Sequence, residues 1–178
     1  SPCEVDNLVG AIYHPDDGYI QPADLTQAFA KGARAMGATI YRNTPVLDIE
    51  QSLQGGWVIK TEKGEIVCDH VISASGNYAR QTGKMIGLDL PVMPVAHQYI
   101  VTEPHPELQA RRQSGAPERP VLRESDGAWY LREENGGCIL GPYGKGAPGC
   151  YMDGPNPKAE YELFQEDIDR LMPHIEAT

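Results

Sequence analysis

The sequence predicts a mixed α/β and α+β chain: a partial α/β layer carrying a β-meander, then a mostly antiparallel sheet with helices packed on it. Three observations carry that expectation. An amphipathic helical repeat runs through residues 22–36, three strand-length runs with turn chemistry between them follow, and from Leu90 onward short strand-like segments come with no convincing helix between them.

The first helix is announced by a turn at Asp16, Asp17 and Gly18, with Pro22 near its first turn. Leu25, Phe29 and Met36, with Ala28 and Gly32 between them, form one apolar stripe that asks to be packed, and Gly37 suits the C-terminal cap. "ATIYRN" then reads as a short strand, followed by "PVLDIEQ", "GWVIKTE" and "EIVCDHVISAS", with turns at Gly55-Gly56 and Lys63-Gly64. "HVISASG" is a continuous run of apolar and small residues ending at Gly76, the pattern of a buried parallel strand meeting a loop. Small residues at such an edge let a ligand phosphate or ribose come close to the backbone, but a tight turn into the helix "NYARQTGKMIG" explains them equally well.

Beyond Leu90 the strand candidates are "AHQYIVTE", "PVLRES", "AWYLREEN" and "GCILGPYG", separated by charged, Pro- and Gly-containing loops such as "PELQARRQSGAPERP". The last helix is expected from Asn156 as cap and Pro157 at its first position, with Tyr161, Phe164, Ile168 and Leu171 as its stripe and Pro173 as its stop.

Composition limits the function classes. At 178 residues, 40% apolar and 22% charged, the chain has the makings of a globular core, and 15 basic against 25 acidic residues give a charge of -10. That balance argues against nucleic acid or an anionic membrane surface as partner. No run reaches the roughly 20 apolar residues of a membrane span, and "SPCEVDNLVG" lacks a signal peptide's regions, so the expectation from composition is a cytoplasmic protein. Cys3, Cys68, Cys138 and Cys150 and the five histidines show no metal-ligand spacing, so free thiols and no metal are expected.

One residue interrupts its surroundings. His97 stands in the strand-like run "LPVMPVAHQYIVTEPH", where an imidazole is either a core residue with one satisfied hydrogen bond or a side chain facing a ligand cavity.

In order along the chain, "GAIYHPDDGYIQPADLTQAFAKGARAMGATIYRNTPVLDIE", "VISASGNYAR", "LPVMPVAHQYIVTE" and "WYLREENGGCILGPYG" resemble the dimethylglycine and sarcosine dehydrogenase branch of the D-amino-acid-oxidase-like flavoproteins, over roughly residues 8 to 172. The resemblance implies a partial FAD-binding domain over residues 1–89 and a substrate-binding domain over 90–178. It implies FAD as cofactor, a small N-methylated amino acid as substrate, and oxidative demethylation of dimethylglycine or sarcosine. Electrons would leave to an electron-transfer flavoprotein or to oxygen, and a folate-binding domain is fused in many such proteins. The alternative is a catalytically silent regulatory subunit of the same fold, like that of pyruvate dehydrogenase phosphatase.

Site roles follow the same resemblance. His97 and Tyr130 match positions facing the substrate amine beside the flavin, one to accept its proton and one to hold a hydrogen bond. Tyr99, on the face of His97, would line the same cavity or pack in the core. Trp129 and Tyr130 point to opposite faces of one strand, so register decides which of them faces the site. Arg132 is either a partner for a substrate carboxylate or part of a solvated charged turn. On the cofactor side, Val46 matches a backbone position at the adenine, and Ala74, Ser75 and Gly76 a strand end near the diphosphate and ribose. Tyr78 matches a bulky aromatic, and Asn77 has no assigned role. The family's G-x-G-x-x-G turn has no counterpart here, since "GPYGKG" has the wrong glycine order, so the chain is expected to be an internal piece of a longer enzyme.

Overall fold

Pro22 opens α1 (Pro22–Ala35), with Asp24 in its first turn and Arg34 in its last, each charge complementing the helix dipole. Gly37, at φ +94°, donates its N–H to the Arg34 carbonyl and ends the helix as expected. In this computed structural model, which describes residues 8–156 and 162–177, no residue of α1 is buried. An apolar stripe specifies a face to be covered, and its cover is not found among the described residues.

The run "ATIYRN" does not form a strand: Asn43 adopts a left-handed φ of +50°, which breaks an extended path. The meander that follows is formed by β1 (Val46–Gln51), β2 (Trp57–Thr61) and β3 (Gly64–Cys68), antiparallel in the order β1-β2-β3. Lys60 bonds Glu50 and lies 3.7 Å from Asp48, which ties β2 to β1 across their exposed face. Gly56 is required at its turn, because it sits at φ +77° and a Cβ there would lie 2.6 Å from the Cys68 carbonyl oxygen. Ile49 is the buried residue of this meander, and α2 (Ala79–Met85) packs near β1.

Residues 70–75 correct a second expectation. They form no strand, and Ile72 is 91% exposed. A buried parallel strand needs a hydrogen-bonded neighbour on each side, and the described residues supply none. The run leads into a 3-10 turn at Gly76–Tyr78 and then α2.

The second sheet has the order β4-β7-β6-β5, all antiparallel, from β4 (Ile100–Val101), β5 (Leu122–Glu124), β6 (Trp129–Glu134) and β7 (Gly137–Pro142). Asn135 at φ +50° and Gly136 at φ +85° make the two-residue turn joining β6 to β7, a link whose twist matches that of the strands. Between β4 and β5 the expected loop contains a helix, α3 (Pro106–Gln113). It has Pro106 at its start, Glu107 in the first turn and Arg111 and Arg112 in the last, but Leu108 is its one buried residue. A single anchor leaves no apolar period to read.

The final helix, α4 (Ile168–Glu176), starts far later than expected: Asp167 caps it by accepting from the Arg170 N–H at 3.2 Å, and residues 162–167 form no regular element. Pro157 and Tyr161, part of the expected helix start, lie outside the described residues. Nor does Pro173 end the helix. It lies inside α4, where its missing N–H gives up the backbone bond to Asp169 while the helix runs on to Glu176. The core of this part is Leu108, Trp129, Ile139, Leu140 and Leu171, and α4 packs on β7.

Two compact units result. One holds the described residues up to Ile20, Ala96–Pro148 and those from Leu163 onward; the other holds Gln21–Val95 and Gly149–Glu162.

Candidate functional site

The sheet of the first unit sets the geometry. Antiparallel partners share a face, so Arg123 on β5, Tyr130 on β6 and Gly141 on β7 form one row, with Arg132 and Ile139 forming the next. Trp129 takes the other face and is buried, while Tyr130 is half-buried. Tyr130 lies across β7 where Gly141 has no side chain: a Cβ at Gly141 would come within 2.2 Å of the ring. Gly141 does not have a positive φ, so it is the ring, not the backbone, that requires glycine there. The Tyr143 ring stands beside Tyr130 with centroids 5.6 Å apart and planes at 48°, a tilted aromatic pair, and the Arg123 guanidinium lies 6.0 Å from the Tyr143 centroid.

Gln98 fixes the segment that carries His97 and Tyr99. Its side chain donates to the Asp167 carbonyl at 2.7 Å and accepts from the Asp167 N–H at 3.0 Å, reproducing one rung of a β-ladder with an amide. In extended chain the neighbours of Gln98 point to the opposite side. His97 and Tyr99 thus share the parity of Val101, whose partner Ile139 lies on the Tyr130 face. Both are exposed, and neither is paired in the β4–β7 ladder.

Arg132 is on strand β6 rather than in a turn. It is paired to Glu134, and its guanidinium lies 4.3 Å from the centroid of Tyr19. Tyr19 in turn donates its phenol to Glu118 at 2.8 Å, and that bond, with some burial, raises its pKa above the ordinary tyrosine value. The charge of Arg132 is already neutralised within the protein.

The expected cofactor positions lie in the other unit. Val46 opens β1 and is exposed, next to an irregularity in the ladder between Val46 and Asp48. Ala74 and Gly76 are exposed, Ser75 shares a hydroxyl contact of 2.9 Å with Ser73, and Gly76 has φ +54° with open space where a Cβ would stand. Tyr78 donates to the Asn156 carbonyl at 3.4 Å. Asn77, Arg80, Gln81 and Met93 border a groove in this unit, and the buried Gln81 Oε1 has no hydrogen-bond partner among the described residues. The open space at Gly76 leaves room for a phosphate or ribose to approach the backbone there, which is the fit an FAD would need. No cluster of His, Cys, Asp or Glu suited to a metal ion occurs among the described residues.

Arg123, Gly141 and Tyr143 were not singled out by the sequence. Their one trace in it is spacing, since a glycine two residues before a tyrosine carries meaning only once the β6–β7 register is known.

Antiparallel meander, antiparallel four-stranded sheet and connecting helices define a mixed α/β protein. That fold is shared with L-proline dehydrogenase from P. horikoshii, at a TM-score of 0.60 and 23% identity, over 86% of this chain and 38% of that one. The chain belongs to the DAO family of FAD dependent oxidoreductases, whose family model matches residues 1–178. It is similar to the mitochondrial dimethylglycine dehydrogenase of Rattus norvegicus, at 39% identity over 97% of this chain and 20% of that protein. It is also similar to the mitochondrial sarcosine dehydrogenase of Homo sapiens, at 30% over 97% of this chain and 18% of that protein. The mitochondrial pyruvate dehydrogenase phosphatase regulatory subunit of Mus musculus matches at 30%, over 95% of this chain and 19% of that protein. The chain therefore spans about a fifth of the length of these relatives. Among the described residues no helix is long and apolar enough to cross a membrane.

Proposed function

We propose that this chain is part of an FAD-dependent dehydrogenase that demethylates an N-methylated glycine derivative, dimethylglycine or sarcosine. The observation that carries the reading is the higher identity to dimethylglycine dehydrogenase, 39% against 30% for the other two relatives. The half-buried Tyr130, seated on Gly141 beside Tyr143, supports it, because a phenol held in one place can orient a substrate. When bound, FAD supplies a two-electron acceptor for a hydride equivalent from the N-methyl carbon.

The remaining work falls to the chain. His97 takes the proton of the substrate ammonium, freeing the nitrogen lone pair that supports the developing iminium, and Tyr130 holds the amine by a hydrogen bond. Water then adds to the released iminium, giving formaldehyde and the demethylated amine. Val46, Ala74, Ser75 and Gly76 would hold FAD, Gly76 by leaving room for it to meet the backbone. The relevant division of labour is a cofactor domain over residues 1–89 and a substrate domain over 90–178. Electron-transfer flavoprotein or oxygen is the acceptor, a folate-binding domain is a candidate neighbour, and the mitochondrial matrix is the location in a eukaryotic source.

The test is the pH profile of His97→Gln in the FAD-loaded full chain. The variant should lose about tenfold or more in kcat/KM near neutrality and recover as pH rises, because free amine then reaches the site already deprotonated. An unchanged profile removes His97 from the reaction. The regulatory relative favours a second reading, a subunit without turnover, and FAD binding with no reduction by any N-methyl amino acid would establish it.

A further inference from the structure

We infer that the groove between α3 and the β6–β7 turn is a binding site for a phosphate group, presented by inorganic phosphate or by a small phosphate monoester. The site lies on the side of the sheet away from Tyr130 and is separate from the reaction proposed above.

Arg111, Arg112, Glu118, Glu133, Asn135 and Gly136 line the groove. Glu133 has the parity of Trp129 and Leu131 on β6, so its side chain leaves the sheet opposite to that of Tyr130. The walls are fixed by the chain itself. The His105 N–H donates to the Gly136 carbonyl at 2.7 Å, which docks the start of α3 on the β6–β7 turn. Arg111 donates from Nη2 to the Pro117 carbonyl at 2.9 Å, and the Ala116 N–H donates to the Arg111 carbonyl at 3.2 Å, so the segment after α3 is held against its last turn.

The pairing of charges decides what the groove can take. Both glutamates are engaged: Glu133 accepts from the Arg119 N–H at 3.1 Å with the Arg119 Nε 3.9 Å away, and Glu118 accepts from the Tyr19 hydroxyl at 2.8 Å. The two arginines are not. Among the described residues neither Arg111 nor Arg112 has a carboxylate within ion-pair distance, and the Arg112 side chain has no hydrogen-bond acceptor, in a chain of net charge -10. The Arg111 Nε is shielded from solvent and also lacks an acceptor among the described residues. Buried donors are ordinarily satisfied, so this atom marks a missing acceptor at the groove wall. Guanidinium groups on successive residues offer their donors in two planes. A planar carboxylate fills one such fork, whereas the tetrahedral oxygens of a phosphate dianion can meet both. Leu108 is the one buried residue of α3, so a ligand gripped by its last turn also strengthens the hold of α3 on the sheet.

The test uses the full chain loaded with FAD, as wild type, Arg112→Gln and Arg34→Gln, titrated by calorimetry with inorganic phosphate and with glycerol phosphate as the monoester. Arg112→Gln is the decisive variant, because that side chain makes no bond whose loss would disturb the fold, whereas Arg111 braces Pro117. It should weaken phosphate binding by about tenfold or more. Arg34→Gln removes the same charge from α1, in the other unit, and should leave the affinity unchanged, which separates a site from a general attraction of anions. The two ligands distinguish the sources: tighter binding of the ester assigns the site to a phosphorylated molecule, and equal or tighter binding of the free ion assigns it to inorganic phosphate. A wild type that binds neither ligand, unchanged binding in Arg112→Gln, or an equal loss in Arg34→Gln would overturn the inference. None of these readouts involves turnover, so their failure leaves the dehydrogenase reading standing.

Discussion

Tyr130 and Gly141 make the sharpest contact of the site, and their chemistry is steric. Because Gly141 has an ordinary backbone conformation, Gly141→Ala costs no φ strain, and the whole effect comes from a methyl group driven into the ring. Overpacking of this kind destabilises by about 1–3 kcal/mol, measurable as a lower urea midpoint. The same variant should reduce activity more than Tyr130→Phe, which keeps the ring seated and removes the hydroxyl alone. Tyr19 gives a pH prediction. Its phenol is protonated in the bond to Glu118 and its pKa is raised on folding, so that contribution is fully present below the ordinary tyrosine pKa and fades as pH rises through the raised value. Spectrophotometric titration should show a late tyrosine component to which Tyr19 and Tyr151, the latter bonded to Glu162, both contribute, and Tyr19→Phe should remove part of it. Little of this was legible in the sequence. Tyr130 could be named only because a familiar motif surrounds it, and Arg123 and Tyr143 meet it through strand pairing, which no local pattern encodes.

Among the elements, the link between Gln98 and Asp167 decides which way His97 faces. Gln98→Leu removes two hydrogen bonds and leaves the Asp167 N–H and carbonyl without these partners, at a cost of about 1–3 kcal/mol. If the link orients His97, the loss of activity should exceed that of Asp167→Ala, which removes the cap of α4, worth about 1 kcal/mol, and leaves both Gln98 bonds to the Asp167 backbone in place. Paired urea melts and initial rates check both. Elements with strong local signals were readable: Pro22 and Gly37 bracket α1, and the glycines at positions 55, 56 and 64 separate the strands of the meander. Misreadings came where the deciding contact is distant. α3 has one apolar anchor, "HVISASG" lacks a neighbouring strand among the described residues, and α4 starts at an aspartate held by Gln98, 69 residues away in sequence.

For the whole molecule, the division into two units matters because the residues proposed for chemistry and those proposed for FAD fall on different ones. Tyr130 and Tyr143 lie in the first unit, and Val46 and Ala74–Gly76 in the second. The chain spans about a fifth of its relatives' length, and the exposed stripe of α1 and the unpaired run before Gly76 are faces that further sequence could cover. Chemistry is therefore best sought in the full chain. The most direct measurement mixes FAD-loaded full-length protein with dimethylglycine without oxygen and follows the visible flavin absorbance together with formaldehyde. The account predicts bleaching with about one formaldehyde released per flavin reduced. A flavin that stays oxidised, with FAD bound and with sarcosine equally inert, would contradict it.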